Sequence, residues 1–243
     1  NSSVAYTIEN NLYISGADGN EVAVTSDQDK NLVNGQTVSR SEYGISDGIF
    51  WGPKGKCLAF YRKDESNVTT FPLLDITTRV GDLKEIKYPM AGMGSETVSL
   101  GIYNLKEKST VWIQPDDFGT DQYLTNITWG PDGKFIYIQV LNRSSDHAKL
   151  NKYEAVTGKF VKTLFEEKDD RWVEPSHELI FLKNNTNQFI YQTNNRDGFN
   201  HAYLYDTDGK LIKQLTSGDW EITEILGFDK SEKNMFFVST EVS

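Results

Sequence analysis

The sequence predicts an all-β fold, a β-propeller of four-stranded antiparallel blades, and three observations carry that prediction. A phrase repeats: "WGPKGK" at Trp51–Lys56 and "WGPDGK" at Trp129–Lys134, each followed by an apolar strand pattern. Aromatic anchors recur at Trp51, Trp129, Phe181 and Phe228, separated by 78, 52 and 47 residues. The last two separations suit a four-stranded repeat unit, and long helical periodicity is absent. A β-sandwich and a stacked solenoid are the competing architectures. The spacing and the number of hairpins favour propeller blades, which answer the edge-strand problem by radial repetition.

The elements follow in order. "NSSVAY" matches the tail of "PKGKCLAF", so the chain opens one strand into a unit. "NNLYISGADGNEVAVTSD" then reads as strand, turn, strand, with Asp18-Gly19 as the turn, since Gly tolerates positive φ. "GIFWGPKGKCLAFYR" is an anchor strand, a Pro-Gly turn and a second strand. The long first interval calls for an insertion of about 25–30 residues before "VSLGIYNLKEKSTVWI" completes that unit. The stretch "YNLKEKSTVW" is compatible with a short turn of helix. "NITWGPDGKFIYIQV" and "AKLNKYEAVTGKFVKTL" make the next unit, with Thr157-Gly158 as its hairpin turn. "ELIFLKNNTNQFIYQT" and "NHAYLYDTDGKLIKQLTSG" make another, turning at Asp208-Gly209. "ILGFDKSEKNMFFVST" begins a last one. Three units are complete and two are partial, all within one domain spanning 1–243. An open arc of blades, or chains pairing through their edges, is expected ahead of a closed four-bladed ring.

Composition narrows the function. A formal net charge of −10 and the lack of a basic run argue against nucleic acid and anionic membrane as partners. No apolar stretch approaches the roughly 18 residues that span a bilayer. The single cysteine, Cys57, sits among Lys56, Leu58 and Ala59, and reads as a buried small residue. Five Asn-x-Ser/Thr sequons begin at Asn1, Asn67, Asn126, Asn142 and Asn184, and matter only in a eukaryotic secretory host.

Most candidate chemistry yields to plainer readings. "GISDG" at Gly44–Gly48 satisfies G-x-S-x-G, but Ile49, Phe50 and Trp51 continue into a strand rather than a helix. Ser46 is therefore expected to be a turn or strand residue. His147, His177 and His201 lack metal spacing and read as surface or blade-edge residues. The pairs Asp116-Asp117, Glu166-Glu167 and Asp169-Asp170 read as solvated loop charge. "GPKGK" and "GPDGK" lack the hydroxyl residue and helix of a P-loop. No metal and no cofactor are expected. What remains is the unit with the insertion, where Glu42 precedes an anchor strand and Arg62, Asp64 and Glu65 cluster after it. Inserted loops usually carry function.

In that stretch Val38–Gly44, Trp51–Phe60, Asp64–Val68 and Lys87–Gly92 resemble, in order, motifs of the propeller domain of the dipeptidyl peptidase IV family. "RWVEPSHELIFL" at Arg171–Leu182 and "LTSGDWEITEILGFD" resemble its later segments. The similarity is nearer to the bacterial branch and covers almost the whole chain. It implies an N-terminal propeller packed on an α/β-hydrolase domain with a Ser-Asp-His triad. It also implies an acidic propeller segment that holds the substrate's free α-amine, as classical members do with two adjacent glutamates. An α-amine has a pKa near 8 and is largely cationic at neutral pH, so confined carboxylates select a chain end over internal peptide.

Here the acidic run is Arg40-Ser41-Glu42-Tyr43, so Glu42 matches the last glutamate and Ser41 replaces its neighbour. Losing a charge-assisted hydrogen bond of about 1.5–3 kcal/mol weakens amine anchoring unless another acid compensates, and Glu65 is the candidate. "YPMAG" continues as Met93-Gly94-Ser95 rather than toward the family's Asn-Pro. The expectations are a substrate-binding Glu42 with Glu65, a peptide with a free N-terminus as partner, and a hydrolase domain lying outside this chain. A fragment inactive alone, a homodimeric parent, and periplasmic or otherwise exported localisation in a bacterium are also expected. A non-enzymatic periplasmic scaffold propeller is the rival. A sialidase-type propeller ranks last, because the chain has no S-x-D-x-G-x-T-W boxes.

Overall fold

Alternating side chains along the central strands decide the architecture, because successive residues of one strand enter two different cores. The computed structural model describes residues 3–241; residues 1, 2, 242 and 243 of the expected domain, with the sequon at Asn1, lie outside them. The first sheet holds β1 (Val4–Ile8), β2 (Asn11–Ser15) and β3 (Glu21–Ala23). The second holds β4 (Leu32–Asn34), β5 (Ile49–Trp51) and β6 (Cys57–Asp64). An arm of β7 (Thr70–Asp75) and β8 (Asp82–Lys87) follows, and β9 (Thr97–Asn104) and β10 (Ser109–Ile113) then complete the second sheet.

The third sheet is β11 (Gln122–Trp129), β12 (Phe135–Asn142), β13 (His147–Glu154) and β14 (Phe160–Lys168). The fourth is β15 (Ile180–Phe181), β16 (Gln188–Thr193), β17 (His201–Asp206) and β18 (Leu211–Gln214). The last pair is β19 (Ile222–Phe228) and β20 (Met235–Ser239). The named strands pair antiparallel, and the third and fourth sheets run in strict chain order.

On β6, Leu58 and Phe60 pack with Leu12 and Ile14 of the first sheet, whereas Ala59 and Tyr61 pack toward Ile136 and Ile138 of the third. On β12, Tyr137 leaves that core and joins Phe189, Tyr203 and Tyr205 of the fourth sheet. On β16, Ile190 turns the other way, to Ile222, Ile225 and Phe237. Each middle sheet is therefore covered on both faces by its neighbours in the chain, which is the stacking of propeller blades.

The repeated phrase proves to be a repeated turn. The residue after each aromatic anchor donates its N–H to a carbonyl at, or one residue before, the start of the next strand. These bonds run Gly52 to Cys57 at 2.9 Å, Gly130 to Phe135 at 2.9 Å, Leu182 to Gln188 at 3.1 Å and Asp229 to Asn234 at 3.0 Å. Gly55 (φ 63°) and Gly133 (φ 73°) supply the left-handed position in the two Pro-Gly turns. The anchor also knits blades together, since the Trp129 indole N–H donates to Phe50 O at 3.0 Å.

Several expectations are corrected. "YNLKEKSTVW" forms the β9–β10 hairpin and no helix, because Tyr103 pairs with Thr110 and Ile102 with Val111. His201 is not a surface residue: it is fully buried, between Thr216 Oγ1 and Gly218 O, each 3.0 Å away, with Trp220 edge-on. Glu166 and Glu167 are not loop charge. Both lie on β14, and Glu167 is buried against the fourth sheet.

Candidate functional site

The acidic segment is an excursion inside a strand. β4 pairs with residues 62–64 of β6, and β5 pairs with residues 58–60 of the same strand. The residue between, Tyr61, closes the neck: Gly35 N–H donates to Tyr61 O at 2.8 Å, and Tyr61 N–H donates to Gly48 O at 3.0 Å. Residues 36–47 thus leave one edge strand and return to it within a single residue's width. Only glycine fits the neck at position 48, where a Cβ would stand 2.3 Å from the Gln36 carbonyl carbon.

Two plugs hold the loop down, Val38 and Ile45, both buried in the core between the second and third blades. Tyr43 adds a third hold. Its hydroxyl is 2.8 Å from Ser145 Oγ, and its ring lies 4.8 Å from Tyr123 and 6.3 Å from Trp172. Asn126, itself left-handed at a bulge in β11, donates to Tyr43 O at 3.4 Å and to Pro175 O. Its burial at the loop base takes that sequon out of solvent.

At the tip, Ser39 (φ 51°), Arg40 (φ 53°) and Ser41 (φ 63°) are all left-handed, followed by Tyr43 at 56°. Such residues are strained by roughly 1–3 kcal/mol each and persist where the surroundings over-determine them. Glu96 Oε1 accepts the Ser39 N–H at 2.9 Å, and the Arg40 guanidinium stacks over Tyr88 at 4.4 Å. The turn presents Glu42 outward. Its carboxylate is exposed and, among the described residues, has no ion pair or hydrogen bond.

Glu42 lines a cavity of about 160 Å³ with Arg40, Glu96, Asp121, Tyr123 and Arg143. Glu65 lines an adjoining cavity of about 300 Å³ with Lys63, Lys87 and Ser41. Ser39, Arg40, Pro89 and Glu96 border both, so the structure sets Glu42 and Glu65 on two sides of one partition. Glu65 already has a partner in Lys63 Nζ at 2.9 Å, and Asp121 has Arg143 at 3.8 Å. Arg62 pairs with Asp27 at 3.0 Å, and Asp64 caps Ser66, which holds its carboxyl below the usual range. Ser46 sits exposed in the loop, bonded to Asp47 at 3.2 Å, with a strand and no helix after it.

Sequence reasoning missed Glu96, Tyr123, Arg143 and Trp172. The one signal available for Glu96 was an acid standing where "YPMAG" departs from the expected continuation. Farther off, His177 is held below its ordinary value by burial. The Glu167 carboxyl is pushed up by burial, against Thr193, Arg196 and Tyr191, which pull it down. Among the described residues no three of His, Cys, Asp or Glu are grouped to hold a metal, and no helix is long and apolar enough to cross a membrane.

Consecutive antiparallel blades, with the loop that carries Glu42 spliced into an edge strand, define a β-propeller domain. The chain belongs to the family described as "Dipeptidyl peptidase IV (DPP IV) N-terminal region", whose model matches residues 1–243. It is 29% identical to dipeptidyl-aminopeptidase B of Aspergillus niger, over 99% of this chain and 30% of that protein. The Porphyromonas gingivalis dipeptidyl peptidase 4 structure superposes with a TM-score of 0.87 at 30% identity, covering 99% of this chain and 34% of that one. A Bacteroides ovatus protein provisionally assigned as a dipeptidyl aminopeptidase IV gives a TM-score of 0.90 at 45% identity, covering 98% and 35%. The chain spans about a third of the length of these relatives.

Proposed function

We propose that this domain gates and orients peptides for a serine dipeptidyl peptidase that releases N-terminal dipeptides of the Xaa-Pro or Xaa-Ala type, with Glu42 binding the substrate's α-ammonium. The observation that carries the reading is the free carboxylate of Glu42 on a strained, pinned turn. Glu65 has the lesser part, because Lys63 already neutralises it. The chemistry of bond cleavage belongs to a separate hydrolase domain, and the present chain is inactive alone. A parent exported from a bacterial cell fits this reading. In the full-length protein, Glu42→Ala should raise KM for a free-amine Ala-Pro or Gly-Pro chromogenic amide roughly tenfold or more. It should spare an N-blocked amide, and equal loss on both substrates would reject the role.

The reading extends to a homodimer formed through the arm. Leu74 and Leu83 face each other across β7–β8 and stand 66% and 67% exposed, and Ile76 and Val80 at the tip are more exposed still. A lone two-stranded ribbon is marginal in water, and a bare apolar patch of this kind marks an interaction surface. Light scattering on the full-length protein should show a dimer that Leu74→Glu with Leu83→Glu converts to monomer. A wild type already monomeric at micromolar concentration would end this extension.

A further inference from the structure

We propose that Glu96 is a positioning residue: it holds the left-handed turn that presents Glu42, so the end of the arm insertion sets where the substrate amine binds. The inference rests on the reading of Glu42 given above. Three consecutive left-handed residues without glycine do not hold themselves, since each is disfavoured by about 1–2 kcal/mol. Their N–H and C=O groups need fixed partners. Within the turn, Ser41 N–H donates to Val38 O at 3.0 Å and Glu42 N–H to Ser39 O at 3.1 Å. The first residue of the run, Ser39, finds its acceptor 57 positions away, in the Glu96 carboxylate.

That bond is charge-assisted and partly shielded, which makes it stronger than the neutral bonds of the turn. It works with Arg40 over Tyr88, so both holds come from the strand-end residues that flank the return of the arm. Apart from Glu42 itself, the other acids lining the two cavities are already paired, Glu65 with Lys63 and Asp121 with Arg143. Glu96 also borders both cavities, together with Ser39 and Arg40 of the turn it holds.

The role separates from direct binding of the amine by what the carboxylate must supply. Holding the Ser39 amide needs an acceptor oxygen, which glutamine also has. Binding an ammonium ion needs the charge. The test uses the full-length protein with Glu96→Ala, Glu96→Gln and Glu42→Ala, assayed on free-amine and N-blocked Ala-Pro amides. Amide hydrogen exchange over residues 38–43 is followed in parallel.

Glu96→Ala should raise KM for the free-amine substrate roughly tenfold with kcat little changed, and should speed exchange over 38–43. Glu96→Gln keeps an acceptor but loses the charge assistance, so it should fall between wild type and Glu96→Ala in both readouts. Glu96→Gln as damaging as Glu96→Ala would overturn positioning in favour of charge. An unchanged KM and unchanged exchange in Glu96→Ala would overturn it outright. If Glu42→Ala leaves the free-amine KM untouched, the reading of Glu42 fails, and the exchange data still decide whether Glu96 holds the turn.

Discussion

Replacing Gly48 with alanine should destabilise the domain by about 2–3 kcal/mol and disable recognition of the free amine, although the residue touches no substrate. At this neck the new Cβ would stand 2.3 Å from the carbonyl carbon of Gln36 and 2.4 Å from its oxygen. Backbone cannot swing aside as a flexible side chain does, so the two legs of the loop must part. Parting them breaks the paired bonds to Tyr61 and drags on Val38 and Ile45, which fasten the loop in the core. Chemical denaturation and free-amine KM measured on the same variant check both halves. Gly19→Ala is the control: nothing lies within 4 Å of its Cβ, and its φ of 77° sets a penalty of roughly 1 kcal/mol with no effect on recognition. A Gly48→Ala protein as stable as that control would mean the neck is pliable.

Arg196→Ala should cost about 3 kcal/mol near neutral pH, because it strands a buried carboxylate between two blades. Glu167 accepts from Thr193 Oγ1 at 2.9 Å and from the Tyr191 hydroxyl at 3.0 Å, and the Arg196 guanidinium stands 3.4 Å from its other oxygen. That guanidinium also packs over Tyr203 and Tyr205. Burial raises the folded carboxyl above its ordinary 4.5 despite these partners. A raised acid favours the folded state most when protonated. Its contribution is full below the unfolded value and is lost as pH rises through the folded one. Without Arg196 the folded value rises further. The deficit of Arg196→Ala should therefore be largest near pH 7 and shrink toward pH 5. Adding Glu167→Gln should recover part of the loss and flatten that pH dependence. Urea titrations across this range check the sign, and a deficit that grows on acidification would refute it.

Much of the fold was legible because it is written in local pattern. Trp51, Trp129, Phe181 and Phe228 mark four copies of one turn, and the same hydrogen bond recurs after each. The insertion inferred from the long first interval is the β7–β8 arm. Resemblance singled out Glu42, and its carboxylate, exposed and without a partner among the described residues, suits the role proposed for it. Less of the site was legible. Glu65 was the candidate to compensate for Ser41, yet it is paired with Lys63 and lies on the other side of the partition from Glu42. The acidic pair at Glu166 and Glu167 looked like solvent, yet its second member is buried under Arg196.

By itself, then, the sequence determined the blades: strand periodicity, turn chemistry and anchor spacing act over ten to fifty residues, and each blade obeys them separately. Only the tertiary structure decided how Glu42 is held. Gly35 and Gly48 meet at Tyr61, and Ser39 meets Glu96, through contacts between segments that no local period relates. Such contacts depend on backbone geometry and on which charges are already paired, and these exist only once the blades have packed.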